Sequence, residues 1–123
     1  GIGRGDRVAI VLPNGPEMAA CFVAVACGAT TAPLNPGYRQ DEFSFYIEDL
    51  RAKALIVAKG VETPARAAAA KLNVPVIEVV PGAAAGDFAL EGGTAGSAAR
   101  PGIAQEDDVA LVLHTSGTTA RPK

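Results

Sequence analysis

The sequence predicts an α/β protein, a parallel sheet with alternating strand–helix units. Two observations predict it. Short apolar runs of strand length alternate with longer segments of helical periodicity, and Pro, Gly or Asn separates them. Several of the runs are nearly continuous in apolar residues, as in strands covered on both faces. At 123 residues the chain is one domain by length. Strands joined through helices imply right-handed βαβ connections.

The elements follow in order. Arg7 to Leu12 is an apolar strand ended by Pro13. Pro16 to Cys27 is a helix, with Pro near its start and Gly28 just past its end. It is apolar almost all round, so burial is expected. Thr30 to Leu34 is a short strand before the turn sequence Asn35-Pro36-Gly37, which Asn35 is expected to close. Asp41 to Leu50 is a helix, with Phe43, Tyr46, Ile47 and Leu50 at i, i+3, i+4 and i+7. Phe43, Phe45 and Tyr46 are read as core. The start of this helix is poorly capped, because Arg39 and Gln40 stand where Ser or Thr would help.

Ala54 to Val57 is the next strand. Thr63 caps a helix with Pro64 at its first position, running to about Leu72, and Asn73 and Pro75 lie beyond it. Pro75 to Val80 is another strand. In residues 82–105, 14 of 24 are Gly or Ala, so a flexible surface excursion with little core value is expected there. Asp108 to Leu113 is the last strand.

Composition narrows the function. Eleven basic and 13 acidic residues, net −2, are scattered without a basic stripe, which argues against a nucleic-acid partner. The longest nearly apolar run, Met18 to Ala29, is shorter than the roughly 20 residues a membrane span needs. Cys21 and Cys27 lie about 240° apart around one helix at 100° per residue, so they cannot bridge each other. Buried reduced thiols are expected, which fits a cytoplasmic chain. One histidine and no C-x-x-C argue against a protein-built metal cluster. Arg4-Gly5-Asp6 reads as a tight turn entering the first strand. Gly1, Gly3 and Gly5 precede that strand rather than follow it, which excludes a dinucleotide fingerprint.

The chemistry concentrates at the end of the chain. The apolar run Val109 to Leu113 stops at His114 and gives way to Thr115-Ser116-Gly117-Thr118-Thr119, with Lys123 four residues later. Four hydroxyls, one glycine and a cation at the end of a strand suit a polyphosphate, which backbone N–H groups and hydroxyl donors can cradle. A polar turn between strands is the plainer alternative. The Walker pattern fails, since Gly117 is the one glycine of the loop and Arg121-Pro122 opposes an immediate helix. His114 is read as a half-buried residue shaping the loop, with a catalytic or substrate contact as the alternative.

The stretch T-S-G-T-T-A-R-P-K resembles the phosphate-binding signature of the adenylate-forming superfamily, [ST]-[ST]-G-[ST]-T-G-x-P-K-G. It matches at Thr115, Ser116, Gly117, Thr118, Thr119, Pro122 and Lys123 and departs at Ala120, where an L-residue cannot take φ > 0 cheaply. Gly5-Asp6-Arg7-Val8-Ala9, Gly28-Ala29 with Ala32-Pro33-Leu34-Asn35-Pro36, and the helix from Glu42 are similar to further segments of that superfamily. His114, Arg121 and the string Glu42-Phe43-Ser44-Phe45-Tyr46 are most similar to its oxalate–CoA ligase branch.

The resemblance implies a partial N-terminal α/β subdomain over 1–123, ending in the phosphate-binding loop. It implies an acid–CoA ligase that uses ATP, Mg²⁺ and CoA on a small carboxylate such as oxalate. Thr115, Ser116, Gly117, Thr118, Thr119 and Lys123 would hold the ATP phosphates, and Thr115 would touch Mg²⁺. The catalytic residues are expected downstream of this chain, which alone is expected to be inactive. A cytoplasmic location is expected, or a peroxisomal one in a eukaryote. Two other classes remain open: a non-catalytic phosphate-binding module or gene remnant, and an atypical P-loop-like NTPase.

Overall fold

A computed structural model describes residues 1–93 and 95–115. Its elements are β1 (Arg7–Val11), α1 (Pro16–Ala26), β2 (Thr30–Pro33), α2 (Gln40–Leu50), β3 (Ala54–Ala58), α3 (Pro64–Lys71), β4 (Val76–Pro81) and β5 (Phe88–Gly92). The strands form one sheet in the order β2-β1-β3-β4-β5. The first four are parallel, with Ala9 opposite both Ala32 and Leu55, and Ile56 opposite Ile77. The α/β class and the alternation of strand and helix are those read from the sequence.

Helices cover both faces, and side-chain alternation sorts the core. On one face Ala9, Val11, Leu55 and Val57 meet Phe43, Tyr46, Ile47 and Leu50 of α2 and Ala65, Ala68 and Ala69 of α3. The alanines let α3 lie close to the sheet, where all three are fully buried. On the other face Val8, Ile10, Ala54 and Ile56 meet Cys21 and Met18 of α1. Each fully buried large side chain contributes about 1.5–3 kcal/mol.

The turn chemistry is as expected. Asn35 Oδ1 accepts from Gly37 N at 2.8 Å. Thr63 Oγ1 accepts from Ala65 N at 3.3 Å and caps α3. Arg39 caps α2 without a side-chain hydrogen bond. Gly5, at φ +84°, makes the turn before β1, where Asp6 N donates to Gly3 O.

Three expectations are corrected. Residues 82–105, read as a flexible surface excursion without a strand, contain β5, which pairs antiparallel with β4. A tight reversal, in which Gly82 N donates to Asp87 O at 2.6 Å, returns the chain onto the open edge of β4. Backbone pairing there outweighs a composition poor in strand formers. Second, α1 is not buried all round. Cys21 is its buried residue, and Val23 is 61% exposed. The helix lies on a single sheet face, so only one stripe of it is buried. For the same reason Cys27, at its end, is exposed rather than buried.

Third, residues 108–113 do not form a full strand. They run along the free edge of β2 through one parallel bridge, Thr31 to Leu111. Thr31 N donates to Ala110 O at 2.9 Å, and Val112 N donates to Thr31 O at 3.0 Å. The segment is covered on the α2 side, where Val112 packs into the core. On the α1 side Val109, Leu111 and Leu113 are 40–57% exposed.

Candidate functional site

The edge segment carries Thr115 toward one end of the sheet. Its register with β2 is parallel, Leu111 beside Thr31. Carried forward, that register takes Thr115 past Pro33, the last residue of β2. This is the carboxyl end of the parallel strands, where open α/β sheets take their ligands. Thr115 is exposed there. Ser116, Gly117, Thr118, Thr119 and Lys123 lie outside the described residues.

An ionic clasp holds the start of the segment. Arg4 Nε donates to Asp108 Oδ2 at 2.6 Å, and Arg4 Nη2 reaches Oδ1 at 3.3 Å. Arg100 Nη2 approaches Oδ1 at 3.4 Å, and Gln105 N donates to Oδ2 at 2.7 Å. The hydrogen bond from Arg4, then that from the Gln105 backbone, hold the Asp108 carboxyl below its usual range. The same carboxylate raises the Arg4 guanidinium. Next, Thr30 Oγ1 donates to Val109 O at 2.6 Å.

His114 anchors the other end. Its side chain is 5% exposed, and its Nε2 lies 3.0 Å from Asp49 Oδ2 near the end of α2. The imidazole tilts against Tyr46, ring centroids 4.6 Å apart. Tyr46 in turn stacks on Tyr38 at 4.8 Å. Burial, then a hydrogen bond to Tyr38, push the Tyr46 phenol up to about 12. The expected packing role of His114 is therefore present, and it includes a partner that the sequence did not reveal. Asp49 carries no motif; its one signal is a place three residues after Tyr46 on the same helix face. Arg4 and Asp108, 104 residues apart, carried none either.

Metal chemistry at this end of the sheet would rest on oxygen donors. Among the described residues no group of three His, Cys, Asp or Glu could hold a metal ion. The exposed Thr115 hydroxyl is an oxygen donor of the kind Mg²⁺ takes.

Comparison with known proteins agrees with this geometry. A family model described as AMP-binding enzyme matches residues 1–123. The chain is 43% identical over 129 residues to "Probable CoA ligase CCL9" of Humulus lupulus, covering all of this chain and 24% of the relative. It is 41% identical over 127 residues to an oxalate–CoA ligase of Arabidopsis thaliana, covering all of this chain and 25% of that one. The crystal structure of ATP-bound MatB from Rhodopseudomonas palustris superposes with a TM-score of 0.71 at 28% identity. That match covers all of this chain and 24% of MatB.

A doubly covered, mainly parallel sheet with strands alternating with helices defines an α/β unit of the kind that takes its ligands beyond the carboxyl ends of the strands. This chain belongs to the AMP-binding enzyme family. It spans about a quarter of the length of the curated relatives it matches. Among the described residues no helix is long and apolar enough to cross a membrane.

Proposed function

We propose that the protein carrying this chain is an ATP-dependent acid–CoA ligase acting on a small carboxylate, with oxalate favoured. The observation that carries this reading is the family match over all 123 residues, which include the sequence T-S-G-T-T-A-R-P-K. The oxalate preference draws on the Arabidopsis relative. Neither a stand-alone phosphate-binding module nor an atypical P-loop NTPase is favoured beside that match.

In this reading a carboxylate oxygen attacks the α-phosphorus of ATP and pyrophosphate leaves. The CoA thiol then attacks the acyl carbonyl and AMP leaves. Thr115, Ser116, Thr118, Thr119 and Lys123, with the backbone at Gly117, hold the β- and γ-phosphates. Fixed donors there meet the charge that grows on the departing pyrophosphate. Mg²⁺, held by Thr115 and the phosphates, would neutralise part of that charge. The 123 residues supply this loop and not the acyl or adenine pocket, so alone they are inactive. The proposed location is the cytoplasm, where free thiols such as Cys21 and Cys27 persist.

The test is exchange of labelled pyrophosphate into ATP by the complete protein, with a panel of acids, followed by AMP release on adding CoA. Oxalate-dependent exchange is expected. A clear preference for long-chain acids would overturn the oxalate reading and keep the ligase. Absence of exchange with every acid would overturn the ligase.

A further inference from the structure

We propose that Asp49 and His114 form a positioning pair that sets where the hydroxyl-rich segment leaves the sheet, and so how it meets ATP. This rests on the ligase reading above. His114 immediately precedes Thr115. Its Nε2 is 3.0 Å from Asp49 Oδ2, and its ring lies against Tyr46. Asp49 stands in the last turn of α2, beside Ile47 and Leu50, each 1% exposed. The pair therefore ties the residue before Thr115 to a helix whose inner face is packed on the sheet.

Strand pairing does not do this by itself. The edge segment makes one bridge to β2, and its α1-facing side chains are exposed. His114 is the last of its residues seated among side chains before the exposed Thr115. A side chain that served only to fill space there could be apolar throughout. An imidazole instead brings two polar nitrogens into a buried site. Asp49 satisfies Nε2, while Nδ1 is buried with no hydrogen-bond partner among the described residues.

Asp49 is 57% exposed, so trimming it leaves no core cavity. That makes the pair testable in the complete protein. Asp49→Ala should raise the KM for ATP roughly tenfold, the loss of one hydrogen bond to a charged group, with the KM for the acid and the melting temperature unchanged. Asp49→Glu should restore most of it. His114→Phe keeps the ring packing and removes Nε2; it should match Asp49→Ala, and the double variant should be no worse than either. Wild-type ATP kinetics in both single variants, additive losses in the double, or equal rises in both KM values would overturn the pair and leave the ligase standing. A wild-type protein without pyrophosphate exchange would overturn both.

Discussion

Arg4 and Asp108 meet at 2.6 Å, joining the turn that opens β1 to the start of the edge segment. The contact joins residues 104 positions apart in the sequence. Asp108 is 8% exposed and draws on Arg4, Arg100 and the Gln105 backbone together. Its carboxyl titrates below the usual 3.8 in the folded chain. A depressed folded value means that the stabilisation is full above the ordinary carboxylate range. It is lost as the pH falls through the lowered value.

Thermal unfolding from neutral pH downward should therefore show a loss of stability at acid pH to which Asp108 contributes. Asp108→Asn should lower the melting temperature at neutral pH and flatten its fall in acid. Parallel curves for wild type and variant would remove the clasp from the account.

The adjacent threonines of β2 should behave oppositely. Thr30 Oγ1 donates to Val109 O at 2.6 Å, so Thr30→Val should cost about 1–2 kcal/mol and loosen the edge segment. Thr31 Oγ1 is buried without a partner among the described residues. Thr31→Val should be neutral or stabilising by up to about 1 kcal/mol. Chemical unfolding of the two variants, with amide exchange at Val112, would show both effects.

Phe43 fills the space between α2 and the sheet and is fully buried. Phe43→Ala should cost about 3–5 kcal/mol, enough to unfold much of a marginal domain. Circular dichroism and the denaturation midpoint would report it. A cost under about 1 kcal/mol would mean that the core is not organised around α2.

In the complete protein, Ser116→Ala or Thr118→Ala should weaken adenylation by about 1.5–3 kcal/mol per donor to a charged phosphate, with folding unaffected. Pyrophosphate exchange measures this directly. Unchanged exchange rates would mean that these hydroxyls do not hold the phosphates.

Much of the fold was legible because local rules and tertiary packing agree. The spacing of Phe43, Tyr46, Ile47 and Leu50 marked the buried face of α2, and all four are in the core. Thr63-Pro64 marked the start of α3. The disagreements have physical causes. The apolar perimeter of α1 predicted burial, but a helix on one sheet face can bury only one stripe. The run Val109 to Leu113 predicted a covered strand, but it took the sheet edge, where α2 covers one side alone. Residues 88–92 lack strand-forming composition and form β5 because β4 presented unpaired backbone groups.

For the site, the sequence by itself supplied the candidate residues, because a run of hydroxyls, a glycine and a lysine is a local pattern. It also determined the alternation of strands and helices, which follows from short-range periodicity. Only the tertiary structure decided the strand order, the antiparallel fifth strand and the place of the last segment on the free edge of β2. It alone brought Asp49 to His114 and Arg4 to Asp108. Those pairings join residues 65 and 104 positions apart, and no local propensity spans such distances. They arise when the sheet closes and buried charges and ring nitrogens must find partners across it.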